Sequence, residues 1–126
     1  MIVGIGTDLC DIGRIERSLE RFGERFARKV LVDAELDRLR QHRNPAAYLA
    51  KRFAAKEAFS KAMGTGIHFP VNWHNVSVDN GRSGRPFLKF SAALEALLQR
   101  RGITAVHLSL SDEVGMACAF VILEGS

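Results

Sequence analysis

The chain has 126 residues and a net charge of +4, with a sequence pI of about 9.5. That length suits a single domain, residues 1–126, with a real core, and 47% hydrophobic against 25% charged residues is ordinary for a globular protein. No apolar run reaches a membrane span, no basic-then-apolar leader opens the chain, and Cys10 and Cys118 are too few and too distant for a disulfide framework or zinc site. The expectation is a cytoplasmic protein with reduced thiols, no membrane contact and, from its charge, anionic partners.

Met1 to Asp8 reads as a strand through Ile2, Val3 and Ile5. Gly4 and Gly6 within it allow a turn or a close backbone approach. They are not a dinucleotide fingerprint, because position 9 is Leu and no third glycine follows in register. Asp11 is a good N-cap for the next segment. From Ile12 to Val30 the residues Ile12, Ile15, Leu19, Phe22 and Phe26 step by three and four along one helical face. Arg14, Arg17, Arg21, Arg25 and Arg28 follow the same steps on another face, with Glu16, Glu20 and Glu24 between them. Gly23 kinks or divides this helix.

Asp33 is expected to cap a short helix through Arg40. Asn44 and Pro45 supply an N-cap and a first helical residue, so a helix is predicted over Pro45–Met63, ended by Gly64 in a left-handed turn. Leu49, Phe53 and Met63 anchor it to the core. Thr65 to His74 is predicted as loop, with Phe69 and Trp73 as packing or lid residues. Val76 and Val78 mark a strand, Asp79-Asn80-Gly81 a turn that continues through Gly84-Arg85-Pro86, and Phe87–Phe90 the returning strand. Ser91 caps a helix over Ala92–Arg101, and Gly102 stops it. From Ala105 to Ser111, Val106, Leu108 and Leu110 alternate with His107, Ser109 and Ser111. Asp112–Gly115 turns the chain into Met116–Leu123, apolar on both faces as a central strand should be. The order predicts an α+β fold: a small antiparallel sheet packed against a long helix and shorter helices.

Two carboxylates stand out, Asp8 at the end of the first strand and Glu57 in the middle of the cation-rich helix. One or two carboxylates completed by substrate phosphates is the usual way to hold Mg²⁺. The same residues also suit a structural reading, in which Asp8 caps a turn and Glu57 pairs with Lys61 four residues on. Lys61 can meet a phosphate as a point charge or stay solvated. His107, on the polar side of its strand, can donate to a phosphate or serve as an ordinary structural histidine. The arginine face is either a solvated surface or a docking site for an acidic protein or nucleic acid. No aromatic residues are interleaved with it, which weakens base stacking, and no groove-reading motif is present.

Three motifs carry a resemblance. Gly4-Ile5-Gly6-Thr7-Asp8, Lys51-Arg52-Phe53-Ala54-Ala55-Lys56-Glu57-Ala58 followed by Lys61, and His107-Leu108-Ser109-Leu110-Ser111-Asp112 resemble holo-[acyl-carrier-protein] synthase, the small bacterial type of 4′-phosphopantetheinyl transferase. The likeness runs the whole chain in order. It implies that fold, and transfer of the 4′-phosphopantetheine arm of coenzyme A to a serine of apo acyl carrier protein, with release of adenosine 3′,5′-bisphosphate. It also implies Mg²⁺ held by Asp8 and Glu57 with the coenzyme A diphosphate, and Lys61 against the phosphates. By the same likeness Gly84, Arg85 and Pro86 lie beside the nucleotide with Arg52 within reach, and His107 near the 3′-phosphate. Arg14, Arg21 and Arg25 would receive the acidic carrier, and a homotrimer would form with active sites between subunits. Asp8 or Glu57, directly or through a metal-bound water, would take the serine proton. Some relatives have His where this chain has Asp112, so that position is assigned no role. The rival reading is a basic module that binds nucleic acid or an acidic protein without catalysis.

Overall fold

The computed structural model describes residues Met1–Ser126. In chain order the elements are β1 (Ile2–Asp11), α1 (Ile12–Phe22), α2 (Glu24–Val30), α3 (Asp33–Gln41), α4 (Pro45–Met63), β2 (Val76–Asn80), β3 (Pro86–Phe90), α5 (Ala92–Arg100), β4 (Ile103–Glu113) and β5 (Met116–Gly125). β5 is the centre of a three-stranded antiparallel sheet, with β1 and β4 on either side, and β2 and β3 form a separate hairpin. The α+β expectation therefore holds, with the antiparallel strands divided between two small sheets.

The long helix has the predicted bounds. Asn44 Oδ1 accepts from Ala47 N–H, Pro45 is the first helical residue, and Gly64 ends the helix at φ 75°, ψ 8°. Most of α4 is buried on all sides, because it lies across the inner face of the sheet with α1 and the hairpin around it. Ala54, Ala55, Ala58 and Phe59 are fully inaccessible. Small residues there let neighbouring elements approach closely.

Several boundaries differ from expectation. β1 continues past Asp8 to Asp11, because Leu9, Cys10 and Asp11 keep pairing with β5; Asp8 is mid-strand and caps no turn. Asp11 does cap α1, its carboxylate accepting from Gly13 N–H and Arg14 N–H. Gly23, at φ 63°, divides the predicted helix in two. Asp33 is the first residue of α3 rather than its cap. The cap position is Val32, whose N–H donates to Glu35 Oε1 at 3.0 Å. Asp79 and Asn80 belong to β2, and the turn proper is Gly81–Arg85. Asp112 and Glu113 likewise extend β4, leaving Val114 and Gly115, both at positive φ, as a tight two-residue hairpin turn.

The sheet has two unlike faces. Gly4, Gly6, Asp8 and Cys10 of β1 and Ala117, Ala119, Val121 and Leu123 of β5 face α4. The opposite face carries Ile5, Leu9, Met116 and Phe120, which are 60%, 66%, 38% and 41% exposed. His107, Ser109 and Ser111 lie opposite Ile122, Phe120 and Cys118, so they share this open face. β5 is apolar on both sides, as read from the sequence, yet only one side is covered. Phe22, expected on the buried face of its helix, is also 46% exposed.

Candidate active site

Strand alternation puts Gly4, Gly6 and Asp8 on the side of β1 that faces α4. The two glycines permit contact between strand backbone and helix backbone. A Cβ on Gly6 would stand 2.0 Å from Ala58 O, and one on Gly4 would stand 2.3 Å from Ala62 O. With α4 seated directly on β1, the next residue on that face, Asp8, meets the helix's polar edge. Lys61 Nζ donates to Asp8 Oδ1 at 2.9 Å and to Thr7 O at 3.1 Å. Lys61 therefore pairs with Asp8, not with Glu57 one turn back.

Glu57 has no cation within 4.0 Å of its carboxylate. Burial pushes its carboxyl above the usual carboxylate range, the nearby Asp8 charge pushes it further, and Lys61 opposes both. Two carboxylates from different elements thus share one partly buried space, and one of them is unpaired. The donor set fits a hard cation: two protein carboxylates, with the remaining positions left to substrate oxygens and water. No group of three His, Cys, Asp or Glu gathers anywhere in the fold, so the protein alone does not build a full cage.

The hairpin loop lies between two other cavities. The larger, about 460 Å³, is lined by Arg38, Tyr48, Lys51, Arg52, Gly84 and Pro86 among others, and by no carboxylate residue. Arg52, only 5% exposed, has its guanidinium 3.9 Å over the Tyr48 ring, and its Nε has no hydrogen-bond partner. The second cavity, about 290 Å³, brings Arg85 and Pro86 together with His107. His107 also contacts Glu124 Oε1 across the open face of the sheet. Asp8, Glu57 and Lys61 line neither cavity, and His107 is on the far side of the sheet from them. The predicted site residues therefore form three groups within one chain.

The break at Gly23 divides the arginine stripe between α1 and α2. Arg14, Arg17, Arg21 and Arg25 are exposed and form no ion pair within 4.0 Å, whereas Arg28 reaches Glu24 at 3.5 Å. Glu24 is held more closely by Arg40, at 2.7 Å.

Sequence reasoning missed a buried polar cluster. Lys56, Glu35 and Arg52 are 0%, 1% and 5% exposed. Lys56 is spaced seven residues from both Leu49 and Met63 on the buried side of α4, and that spacing was the available signal. Glu35 had no signal for burial, because only its bond to Val32 N–H is local and Lys56, Arg52 and Val78 come from other elements.

The comparisons with known proteins agree along the whole chain. The family model of the 4′-phosphopantetheinyl transferase superfamily matches residues 4–119. The chain is 54% identical over 124 residues to a holo-[acyl-carrier-protein] synthase of Nitrosospira multiformis, covering 98% of this chain and 99% of that one. Among solved structures, holo-[acyl-carrier-protein] synthase from Neisseria meningitidis superposes with a TM-score of 0.94 at 45% identity, over 98% of this chain and 99% of that one. The Bacillus anthracis enzyme, in complex with CoA (3′,5′-ADP), superposes with a TM-score of 0.82 at 38% identity, over 100% and 99%. With its fold, its glycine-seated helix and these relatives in agreement, the chain belongs to the 4′-phosphopantetheinyl transferase superfamily.

Proposed function

We propose that this enzyme transfers the 4′-phosphopantetheine group of coenzyme A to a serine of apo acyl carrier protein. The observation that carries the reading is the meeting of Asp8, Glu57 and Lys61, brought together by Gly4 and Gly6, in a chain 54% identical to a holo-[acyl-carrier-protein] synthase. The serine oxygen forms a bond to the phosphorus that bears the pantetheine. The bond from that phosphorus to the bridging oxygen breaks, and adenosine 3′,5′-bisphosphate leaves with the electron pair. The nucleophile comes from the carrier, so this chain need not supply one.

Asp8 and Glu57 would hold Mg²⁺ together with the diphosphate. The ion supplies positive charge where negative charge grows on the phosphate oxygens. Lys61 adds a second positive charge, released from Asp8 toward the leaving phosphate. Glu57, unpaired and held partly away from water, or Asp8 beside it, takes the serine proton through a bridging water. The nucleotide end lies along the hairpin loop, with Arg52, Gly84 and Pro86 on one side and Arg85 and His107 on the other. The unpaired Arg14, Arg21 and Arg25 steer in and seat the acidic carrier.

The uncovered apolar sheet face supports a homotrimer. Solitary domains rarely expose a contiguous patch built around residues such as Ile5, Leu9 and Phe120. In that assembly active sites would lie between subunits, with His107 on this face available to the site of a neighbouring copy. No helix is long and apolar enough to cross a membrane, and two free cysteines suit the cytoplasm.

An intact-mass assay tests the reading. Purified protein, coenzyme A and Mg²⁺ should add one phosphopantetheine mass to apo acyl carrier protein, and EDTA should abolish the gain. No gain with a competent apo carrier overturns the function, and a gain that survives EDTA overturns the metal.

A further inference from the structure

The buried charged residues Glu35, Arg52 and Lys56 gather at one place, and their charges do not balance. Lys56 Nζ donates to Val30 O at 2.5 Å, Glu35 Oε1 at 2.7 Å and Trp73 O at 2.8 Å. All three ammonium protons are therefore used. Glu35 also accepts from Val32 N–H at 3.0 Å and from Val78 N–H at 2.8 Å. Arg52 is left with the remainder: its Nε stands 3.5 Å from Glu35 Oε2 without a hydrogen bond, and its Nη2 reaches Val78 O at 3.4 Å. One carboxylate thus faces two cations, and the closer one holds it.

The surplus charge is on Arg52, in the wall of the larger cavity. The other strong cations of that cavity have carboxylates of their own: Arg38 meets Asp79 at 2.8 Å and Lys51 meets Asp112 at 3.2 Å. A buried charge with an unpartnered donor is costly unless a counter-charge arrives, and a guanidinium is well shaped for a phosphate.

We infer that Lys56 and Glu35 are positioning residues for Arg52, whose guanidinium is seated against Tyr48 at the cavity wall: Lys56 takes up the Glu35 charge so that Arg52 remains free to bind an anionic phosphate. The inference rests on the reading that this cavity receives the nucleotide end of coenzyme A. Neither positioning residue lines the cavity; both act through Arg52.

Calorimetric titration of the full chain with adenosine 3′,5′-bisphosphate tests this, with thermal melts to establish folding. Lys56→Met leaves Glu35 to neutralise Arg52, and the Kd should rise about tenfold, equivalent to about 1.4 kcal/mol. The double variant Glu35→Gln with Lys56→Met removes both inner charges and should return the Kd to within about twofold of wild type, since one net charge again resides on Arg52. Arg52→Met sets the full loss. A purely structural role lowers Tm in both variants and yields no such recovery. Equal Kd in wild type and Lys56→Met overturns the inference. Should Lys56→Met not fold, the double variant decides: a Kd near wild type supports the inference, and a Kd near that of Arg52→Met overturns it. A wild-type chain that binds no nucleotide overturns the functional reading as well, which distinguishes the two failures.

Discussion

Gly6→Ala tests the link between strand–helix contact and catalysis. The added Cβ would lie 2.0 Å from Ala58 O and 2.7 Å from Ala62 N, where real Cβ contacts essentially never fall below 3.0 Å. Both obstacles are backbone atoms of α4, so no rotamer change relieves the clash, and helix and strand must separate by about 1 Å. A gap of that size forfeits roughly a quarter to a half of each contact's dispersion energy along the seam. Overpacking typically costs about 1–3 kcal/mol, and an obstacle made of backbone belongs at the upper end. At roughly 4 °C per kcal/mol for a chain of this size, Tm should fall by about 12 °C. The same separation stretches the 2.9 Å contact between Lys61 and Asp8, and misplacement on this scale costs on the order of 100-fold in rate. Calorimetry and the intact-mass assay, run at a temperature where the variant is folded, measure both effects. Gly81→Ala is the control for stability alone, because its Cβ would meet Arg85 O at an ordinary 3.6 Å. A Gly6→Ala protein with Tm within about 2 °C of wild type and full activity would refute the reasoning.

Four other outcomes are expected. Asp8→Ala and Glu57→Ala each lower kcat by at least about 10³-fold while leaving the far-ultraviolet spectrum unchanged; full turnover in both would remove the metal assignment. Arg14→Glu, Arg21→Glu and Arg25→Glu each raise KM for the carrier severalfold and spare coenzyme A affinity, and unchanged carrier KM in all three would show that the docking face is elsewhere. Phe120→Glu puts a charge in the centre of the open sheet face and should convert the oligomer to monomers in sedimentation velocity, whereas an unchanged sedimentation coefficient counts against assembly through that face. Asp79 is held below the usual carboxylate range by the Asn80 backbone N–H and by Arg38. A depressed acid stabilises the fold above its unfolded value and loses that contribution as pH falls through its folded value. Asp79→Asn should therefore cost at most about 1 kcal/mol at pH 7, with the Tm difference closing below pH 3.8. A constant difference down to pH 2 would contradict it.

What the sequence determined by itself is what local physics controls. Asn44, Pro45 and Gly64 fix the ends of α4 because capping bonds and a left-handed terminal residue are satisfied within a few positions of the chain. Asp11 as a cap and the alternation of Val106, Leu108 and Leu110 were legible for the same reason. The motifs around Asp8 and Glu57 marked both carboxylates, and their resemblance to a family supplied a role that spacing alone left open. Tertiary structure decided the rest. Strand ends at Asp11 and Glu113 depend on how long β5 continues to offer hydrogen-bond partners. The choice of Asp8 over Glu57 as partner for Lys61 depends on where Gly4 and Gly6 let the helix sit. Whether Lys56 is solvated or buried against Glu35 depends on α3 and the hairpin closing over α4. These are register and docking relations between segments distant in the chain, and a side chain's sequence neighbours carry no record of which remote carboxylate will compete for its charge.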